Sequence, residues 1–155
     1  MKTVLLKQPG EIGIGAVEKT SRRENEVLLK VRSAGICGSD IGAYKGVNPL
    51  VSYPRIIGHE IAGEVVEVAD DETGLKVGDR DILEPYVYCG QCYPCSIGHT
   101  NCCENLTVRG VHIEGGMAEY VSHPRHLLHK VPEGIPWHLI PMAEPLVIAM
   151  HAVKQ

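Results

Sequence analysis

Short stretches of alternating apolar and polar residues dominate the first two thirds of the chain. In EVLLKVRSAG, the side chains of Val27, Leu29 and Val31 share one face of an extended segment, which is the period of a half-buried β-strand. Similar runs, each bounded by Gly, Pro, Asp or Asn, are TVLL near the start and residues 60–68, 80–83 and 117–121. Many short strands at this spacing predict a partly open β barrel rather than parallel strands alternating with helices.

Two segments have the pattern of helices. The first, SDIGAYKG, follows Gly38, and Ser39 or Asp40 is its predicted capping residue. The second begins at Pro145, a residue type favoured in the first turn, and runs through LVIAMHAVKQ to Gln155. Since no Gly, Asn or Pro ends this helix, we expect the chain to stop within an element and a further domain to follow. The sequence therefore predicts a mainly β fold with a few helices.

A Gly-rich segment near the start, GEIGIGAVE, invites comparison with a dinucleotide-binding loop. It does not have the G-x-G-x-x-G spacing of such loops, and no helical pattern follows it. We therefore interpret this segment as a turn inside a β-hairpin.

Length, composition and charge limit the classes of protein that fit. The 155 residues, with 44% hydrophobic content, suit one domain. The net charge of -4, with Lys and Arg dispersed, disfavours a nucleic-acid partner. The apolar run 4–6 is too short for a signal peptide, and no stretch approaches the roughly 18 apolar residues of a membrane span. We expect a cytoplasmic protein with no membrane partner.

Five of the six cysteines lie in CGQCYPCSIGHTNCC, residues 89–103. In a reducing cytosol, such density favours metal binding over disulfide formation. Four of these cysteines have the spacing C-x2-C-x2-C-x7-C, and four thiolates complete a tetrahedral shell around zinc with no position left for a substrate. The sequence thus predicts a structural zinc site, in a lobe of about residues 86–106, whose ligands are Cys89, Cys92, Cys95 and Cys103.

Other interpretations of this cysteine lobe compete with structural zinc. A nucleic-acid-binding zinc ribbon needs a second C-x2-C pair about 15 to 20 residues further on, and the sequence has none. An iron-sulfur cluster fits the C-x2-C-x2-C run but not its usual C-x3-C-P continuation, and thioredoxin-like redox chemistry needs a βαβ context. Cys102 is left over, and it replaces Cys103 as a ligand only if the last spacing shortens to six.

A second set of metal-ligand residue types is dispersed over GICGSD (35–40), GHE (58–60) and AEP (143–145). Together these motifs hold a thiolate, an imidazole and two carboxylates, which are the ligand types of a catalytic zinc with one open position. Each motif alone is weak, because a single cysteine such as Cys37 is usually just buried and a single histidine such as His59 usually has a packing or surface role. The hypothesis of a second metal site therefore depends on their combination.

In this order, and together with the cysteine lobe, the motifs resemble those of the zinc-containing medium-chain alcohol and polyol dehydrogenases. The matching segments cover nearly the whole chain and are GICGSD, YPRIIGHEIAGEVVEV, GDR (78–80), the cysteine lobe, GGMAEY (115–120) and AEPLVIAMHAV (143–153). Within that family the chain looks closest to sorbitol, threonine, galactitol-phosphate and L-galactonate dehydrogenases. The reason is Glu144, which stands where alcohol dehydrogenases of the usual type carry a cysteine ligand.

The resemblance implies a fold and roles for individual residues. Residues 1–155 would form a GroES-like catalytic domain, a partly open β barrel with a zinc-binding lobe, and a Rossmann cofactor domain would follow Gln155. Cys37 and His59 match the two invariable ligands of the family's catalytic zinc. Glu60 and Glu144 match two acidic residues that bind this zinc or lie close behind it, and we expect them to act as an exchangeable pair. Asp40 matches the acid that orients the histidine ligand.

Proton transfer is where this chain departs from the family. Ser39 matches the hydroxyl that takes the substrate proton. Such an acceptor is needed because zinc acidifies a bound alcohol as it does bound water. Many relatives have a histidine three residues further on, whereas this chain has Gly42. His112 in GVHIEGG and water are the candidates to replace that histidine, and the sequence does not decide between them.

The function implied by the resemblance is NAD- or NADP-dependent oxidation of a secondary alcohol of a polyol, sugar acid or related compound. It implies two zinc ions per chain, one catalytic and one structural, and a full-length homodimer or homotetramer that is inactive without its cofactor domain. Two other hypotheses are a non-catalytic zinc module for interactions and a zinc-independent quinone reductase. Cys37, His59 and the cysteine lobe argue against the quinone reductase.

Three histidines recur at every third position late in the chain, at residues 123, 126 and 129. They straddle Pro124 and a predicted strand, so their spacing does not place them on one helix face. A metal site there is disfavoured.

Overall fold

Ten short strands and three helices make up the part of the chain that the computed structural model describes, residues 1–69 and 74–154. The strands are β1 (Lys2–Gln8), β2 (Glu11–Ala16), β3 (Glu26–Ala34), β4 (Arg55–Ile56), β5 (Ile61–Glu67), β6 (Arg80–Leu83), β7 (Tyr86–Val87), β8 (Thr107–Val108), β9 (Tyr120–Pro124) and β10 (Leu128–Lys130). The helices are α1 (Gly38–Tyr44), α2 (Tyr93–Ser96) and α3 (Ala143–Lys154), with 3-10 turns at Thr100–Cys102, Arg125–Leu127 and Trp137–Met142.

The strands form three antiparallel sheets. The largest has the order β10-β6-β5-β3-β9 and curls into a half barrel, the second has the order β2-β1-β4, and β7 pairs with β8. No helix in the described part of the chain is long and apolar enough to cross a membrane. The prediction of a mainly β, partly open barrel with a few helices is confirmed.

The interior of the half barrel is filled by alternate side chains of its strands. Its buried apolar cluster consists of Val27, Leu29, Ile61, Val65, Leu83, Val121 and Leu128. Full burial of each such side chain contributes about 1.5–3 kcal/mol, which makes this cluster the main source of stability of the sheet. Leu28 is also buried, and the pairing of β3 with β5 shifts its register between Leu28 and Leu29.

Four predicted strands lie where the pattern places them, as β1, β3, β5 and β6, while two segments differ from the prediction. β9 begins at Tyr120 rather than at Met117, because the backbone of Met117 bonds instead to Val4 and Ile57. The Gly-rich segment after Gly10 is strand β2 rather than a turn. The hairpin turn lies just before it, where Gly10 has a φ of 79°.

Both predicted helices are present, with different first residues. Helix α1 begins at Gly38 with Cys37 as its N-cap, and Asp40 stabilises that end from the third helical position by accepting a hydrogen bond from the Cys37 N–H at 2.9 Å. Helix α3 begins at Ala143, so Pro145 lies within the first turn, where its missing N–H costs nothing. None of the α3 side chains is buried within the described residues.

Asp81 is a charged residue type that lies within the apolar interior of the half barrel. It is fully buried on β6, and neither carboxylate oxygen has a hydrogen-bond partner in the described part of the chain. Burial, followed by the charge of Asp79, raises the Asp81 pKa to about 6, although Lys130 and His129 oppose this. Burial also disfavours ionisation of Asp79, but hydrogen bonds from Lys130 Nζ and the Lys76 N–H outweigh it and lower that pKa.

We expect Asp81→Val to stabilise the fold above pH 6. The folded-state pKa of Asp81, about 6, lies above the ordinary value of 3.8, so the buried carboxyl group lowers the free energy of unfolding as pH rises between these values. The shift corresponds to about 3 kcal/mol, which the variant should gain at pH 8 and lose progressively as the pH falls from about 6 to about 4. Urea denaturation of both chains at each pH, with equal zinc, measures the difference.

The matched variant is Asp79→Asn, which removes a carboxylate that accepts two hydrogen bonds. It should destabilise the chain over the same pH range. A pH-independent difference between Asp81→Val and the unmodified chain would contradict the assignment of the cost to ionisation of Asp81.

Candidate metal centres and active site

Glycines build the turn that carries His59. Gly58 has a φ of 93°, and a Cβ at this position would lie 2.5 Å from Met117 Cγ. A Cβ on Gly115 would collide with the carbonyl oxygen of Ile57. The GHE and GGMAEY motifs therefore pack directly against each other, and only glycine permits so close a backbone approach.

The carboxylate of Asp40 connects helix α1 to this turn. Its Oδ2 accepts a hydrogen bond from the Cys37 N–H at 2.9 Å, and its Oδ1 accepts one from the Gly58 N–H at 3.2 Å. His59 Nδ1 lies 3.9 Å from the same Oδ1, and both side chains are buried. Asp40 thus holds the residues of the first two ligand motifs beside one another. Its role as the acid that orients the histidine stays a prediction.

Cys37, His59 and Glu60 converge on one point. Their ligand atoms all lie within 4.8 Å of one another. Gly35 provides the space for Glu60, because a Cβ on Gly35 would collide with Glu60 Oε2. The Gly35 N–H also donates to the Glu60 carbonyl oxygen at 2.8 Å. One sulfur, one nitrogen and one oxygen donor form a set suited to zinc with an open fourth position, and the buried Nδ1 of His59 has no hydrogen-bond partner within the described residues.

The surroundings of Glu60 raise the pKa of its carboxyl group. Burial raises its pKa, and the neighbouring carboxylates of Glu144 and Asp40 raise it further, whereas His59 and a hydrogen bond with Cys37 lower it. A cation bound between these donors would remove the cost of holding the carboxylates close together.

Glu144 lies in the first turn of α3 and does not belong to the three-residue group. Tyr86 of β7 contacts it, with the phenol hydroxyl donating to Glu144 Oε1 at 3.2 Å. Burial, and next the charge of Glu144, raise the pKa of Tyr86. Sequence reasoning missed Tyr86, because a tyrosine at the start of the cysteine lobe carries no motif that indicates a role at the site.

Ser39 and His112, the two candidates for proton transfer, lie in different segments of the chain. Ser39 is partly buried in the first turn of α1, two positions after Cys37. His112 lies in the segment between β8 and β9, where its Nδ1 accepts a hydrogen bond from the Val108 N–H at 3.0 Å, and it is outside the three-residue group. The role of Ser39 and the replacement for the missing histidine at Gly42 stay predictions.

The cysteine lobe forms a second, separate group. The sulfur atoms of Cys89, Cys92, Cys95 and Cys103 all lie within 4.8 Å of one another. The Cys89 N–H donates to Cys103 Sγ at 3.3 Å, and N–H groups of Gln91 and Cys92 lower the pKa of Cys89 to about 6, which favours its thiolate. The cluster fits a structural zinc site. Cys102 is exposed and lies outside it.

The three histidines at residues 123, 126 and 129 contact other protein groups and belong to neither metal group within the described residues. His123 is fully buried, and its Nδ1 accepts a hydrogen bond from Arg109 Nε at 3.2 Å while its Nε2 contacts the Glu84 carbonyl oxygen at 2.9 Å. Burial, and then the charge of Arg109, lower the pKa of His123 well below its ordinary value, so the ring is neutral and Nε2 is the donor. His129 contacts Glu84 Oε2, and His126 packs edge-on against Tyr88.

Fold and donor groups together define a β-barrel domain with one closed four-cysteine metal group and one open group of mixed donors. Residues 23–133 match the family model described as the alcohol dehydrogenase GroES-like domain. The chain therefore belongs to the alcohol dehydrogenase GroES-like domain family, within the zinc-containing medium-chain alcohol and polyol dehydrogenases. The family resemblance inferred from the motifs is confirmed.

Several known proteins are similar over all or nearly all of this chain. It is 57% identical to an uncharacterised zinc-type alcohol dehydrogenase-like protein of Haemophilus influenzae, over 100% of this chain and 46% of that protein. It is 42% identical to L-galactonate-5-dehydrogenase of Escherichia coli, over 100% of this chain and 45% of that protein. The crystal structure of the alcohol dehydrogenase rspB from E. coli CFT073 with NADH superposes with a TM-score of 0.87 at 43% identity, over 97% of this chain and 44% of that one. This chain spans about half the length of these relatives.

We expect Gly35→Ala to weaken metal binding at the group formed by Cys37, His59 and Glu60. The added Cβ would occupy the space of the Glu60 carboxylate and displace it. Loss of correct ligand placement should cost about 10–100-fold in zinc affinity. Chelator competition, with the four-cysteine group already loaded, measures this affinity. The matched variant Gly38→Ala, whose Cβ meets nothing within 4 Å, should bind zinc like the unmodified chain, and equal losses in both variants would contradict the explanation.

Proposed function

We propose that this chain is the catalytic domain of a zinc-dependent NAD(P) oxidoreductase that oxidises a secondary alcohol of a polyol, sugar acid or related compound. The observation that carries the proposal is the convergence of Cys37, His59 and Glu60 within 4.8 Å, apart from the closed four-cysteine group. Three protein donors leave a tetrahedral zinc one open position, as in catalytic sites, whereas four leave none. The similarity to L-galactonate-5-dehydrogenase supports the substrate class.

Cys37, His59 and Glu60 would hold a zinc ion, and the bound metal would supply the Lewis acidity that lowers the pKa of an alcohol hydroxyl. Asp40 would orient His59, because its Oδ1 accepts a hydrogen bond from the Gly58 N–H and lies 3.9 Å from His59 Nδ1. Ser39, two positions after Cys37 in the first turn of α1, would accept the alcohol proton and pass it outward. Loss of that proton prepares the alcohol carbon to give up a hydride, for which NAD or NADP is the acceptor.

The four-cysteine group has a structural role in this proposal. The lobe between β7 and β8 includes few buried apolar residues, and within the described chain its best-covered cysteine is Cys103. A metal bound by four thiolates offsets the conformational entropy of such a loop. Because four cysteines fill all positions of a tetrahedral zinc ion, a metal in that group would have no position for a substrate.

The remaining features of a longer enzyme are proposed from the family resemblance. We place its cofactor in a Rossmann domain following Gln155, in keeping with relatives that are about twice as long. The NADH complex of rspB, at 43% identity, supports a nicotinamide cofactor. We propose a cytoplasmic homodimer or homotetramer that acts on small molecules and not on nucleic acid or membranes.

Metal analysis tests the two-site assignment. The 155-residue chain should bind two zinc ions, and replacement of Cys37 and His59 together by Ala should remove one, because two of three donors of the open group are lost. Cys102→Ser should keep both, since Cys102 lies outside either group. Metal content after gel filtration counts the ions. A single zinc that survives the double replacement would instead favour a non-catalytic zinc module.

Turnover tests the division between catalytic and cofactor domains. The 155-residue chain alone should give no reduction of NAD or NADP with polyols or sugar acids, because the nicotinamide site is proposed to lie in the following domain. Absorbance of the reduced nicotinamide measures the reaction, with full-length L-galactonate-5-dehydrogenase of E. coli and L-galactonate as the positive control. Robust turnover by the chain alone would contradict the assignment of the cofactor site to another domain.

A further inference from the structure

A cavity of about 970 Å³ lies apart from both metal groups. Its walls come from β1 and β4, from residues 17–23 between β2 and β3, from residues 109–115 after β8, and from β9. None of the residues that form the open group or the four-cysteine group lines it. A volume of this size is in the range of small-molecule binding sites, so the cavity has room for a ligand of its own.

The charged side chains around this cavity are mostly basic. They are Lys19, Arg23, Arg55 and Arg109, against the two carboxylates of Glu18 and Glu114. The Glu114 carboxylate is already engaged, because Oε1 accepts a hydrogen bond from Arg55 Nη1 at 3.1 Å and Oε2 accepts one from the Ile56 N–H at 2.7 Å. The cavity therefore has a surplus of positive charge, in a chain whose net charge is -4. A local surplus of this kind attracts anions.

Arg109 is the buried basic group of the cavity wall. Its Nε donates to His123 Nδ1 at 3.2 Å, Nη1 to the Glu114 carbonyl oxygen at 2.9 Å, and Nη2 to the Ser122 carbonyl oxygen at 2.9 Å. These acceptors are neutral, and no carboxylate bonds the guanidinium in the described part of the chain. Burial lowers the pKa of Arg109 to about 10, so the group is still charged at neutral pH.

The geometry of Arg109 suits recognition of an anion. A guanidinium has five N–H donors, and its three bonds hold the group in one orientation while two donors remain. Carboxylates and phosphates are the acceptors that match the planar fork of an arginine. An oriented guanidinium with no carboxylate partner at a cavity wall is therefore prepared for such a group.

Lys19 and Arg23 supply charge at the exposed side of the cavity. Lys19 Nζ lies 4.3 Å from the centre of the Tyr120 ring, and the Arg23 backbone N–H donates to Ser122 Oγ at 3.4 Å. Neither side chain forms an ion pair with any described residue. Both can consequently turn towards an anion without breaking an existing ion pair.

We infer that this cavity binds a small organic anion that bears a carboxylate or phosphate group, held by Arg109 at the wall and by Lys19 and Arg23 at the exposed side. Leu5 and Ile113 line the same cavity and would contact the apolar part of the ligand. The inference goes beyond the proposed function and does not depend on it, because no residue of the open metal group takes part.

Titration of the zinc-loaded, ¹⁵N-labelled chain tests the site, with inorganic phosphate in one series and acetate in another. NaCl keeps the ionic strength constant, so that screening does not change. The NMR signals of the Arg109 Nε–H and the Ser122 N–H should shift and saturate with at least one anion. Saturation by phosphate alone assigns a phosphorylated ligand, saturation by acetate alone assigns a carboxylate, and saturation by both assigns a site that accepts either.

The joint replacement Lys19→Ala and Arg23→Ala should weaken anion binding at least about tenfold, because it removes two charged donors. The matched pair Lys7→Ala and Lys45→Ala removes the same charge from exposed positions outside the cavity and should leave the affinity unchanged.

Replacement of Cys37 and His59 together by Ala should also leave the affinity unchanged, which separates this cavity from an anion bound to a metal in the open group. Shifts that saturate with neither anion would overturn the inference. Equal losses in the two lysine-containing pairs, or loss of binding without Cys37 and His59, would do the same. The proposed function is tested separately by its zinc count, which none of these outcomes changes.

Discussion

The carboxylate of Asp40 is the contact on which the open metal group depends. It accepts hydrogen bonds from the backbone N–H groups of Cys37 and Gly58, and so joins the start of α1 to the turn that carries His59. Asp40 is itself buried, and a carboxylate that accepts two N–H groups is well satisfied there. Since these backbone positions belong to different motifs, one side chain sets the separation of a sulfur and a nitrogen donor.

Glycines complete this arrangement, because they have no side chain at the points where the segments approach most closely. Gly58 and Gly115 allow the GHE turn and the GGMAEY segment to pack backbone against backbone, and Gly35 leaves room for the Glu60 carboxylate. The donors are consequently presented by tightly packed backbone rather than by loose loops. Preorganisation of this kind is what a metal site needs in order to keep a fixed geometry with one position open.

The two metal groups differ in how far sequence reasoning could reach. The four-cysteine group comes from one short segment, so its spacing alone restricts the donor geometry, and the structure brings together the four cysteines that the spacing indicates. The open group is assembled from distant motifs, and family resemblance was needed to connect Cys37 with His59. Tyr86 and Asp81 were not predicted, because a hydrogen bond 58 positions apart and a charged residue inside a barrel leave no local pattern.

The sequence by itself determined the class of fold, the positions of β1, β3, β5 and β6, and the types of donor, because hydrophobic period and ligand spacing are local properties. Only the tertiary structure decided that β9 starts late, where the Met117 backbone is already bonded to β1 and the GHE turn. It also decided which glutamate joins Cys37 and His59 in one group. That choice depends on the space beside Gly35 and on the position of α3 against β7, which are set by packing between segments far apart in the chain.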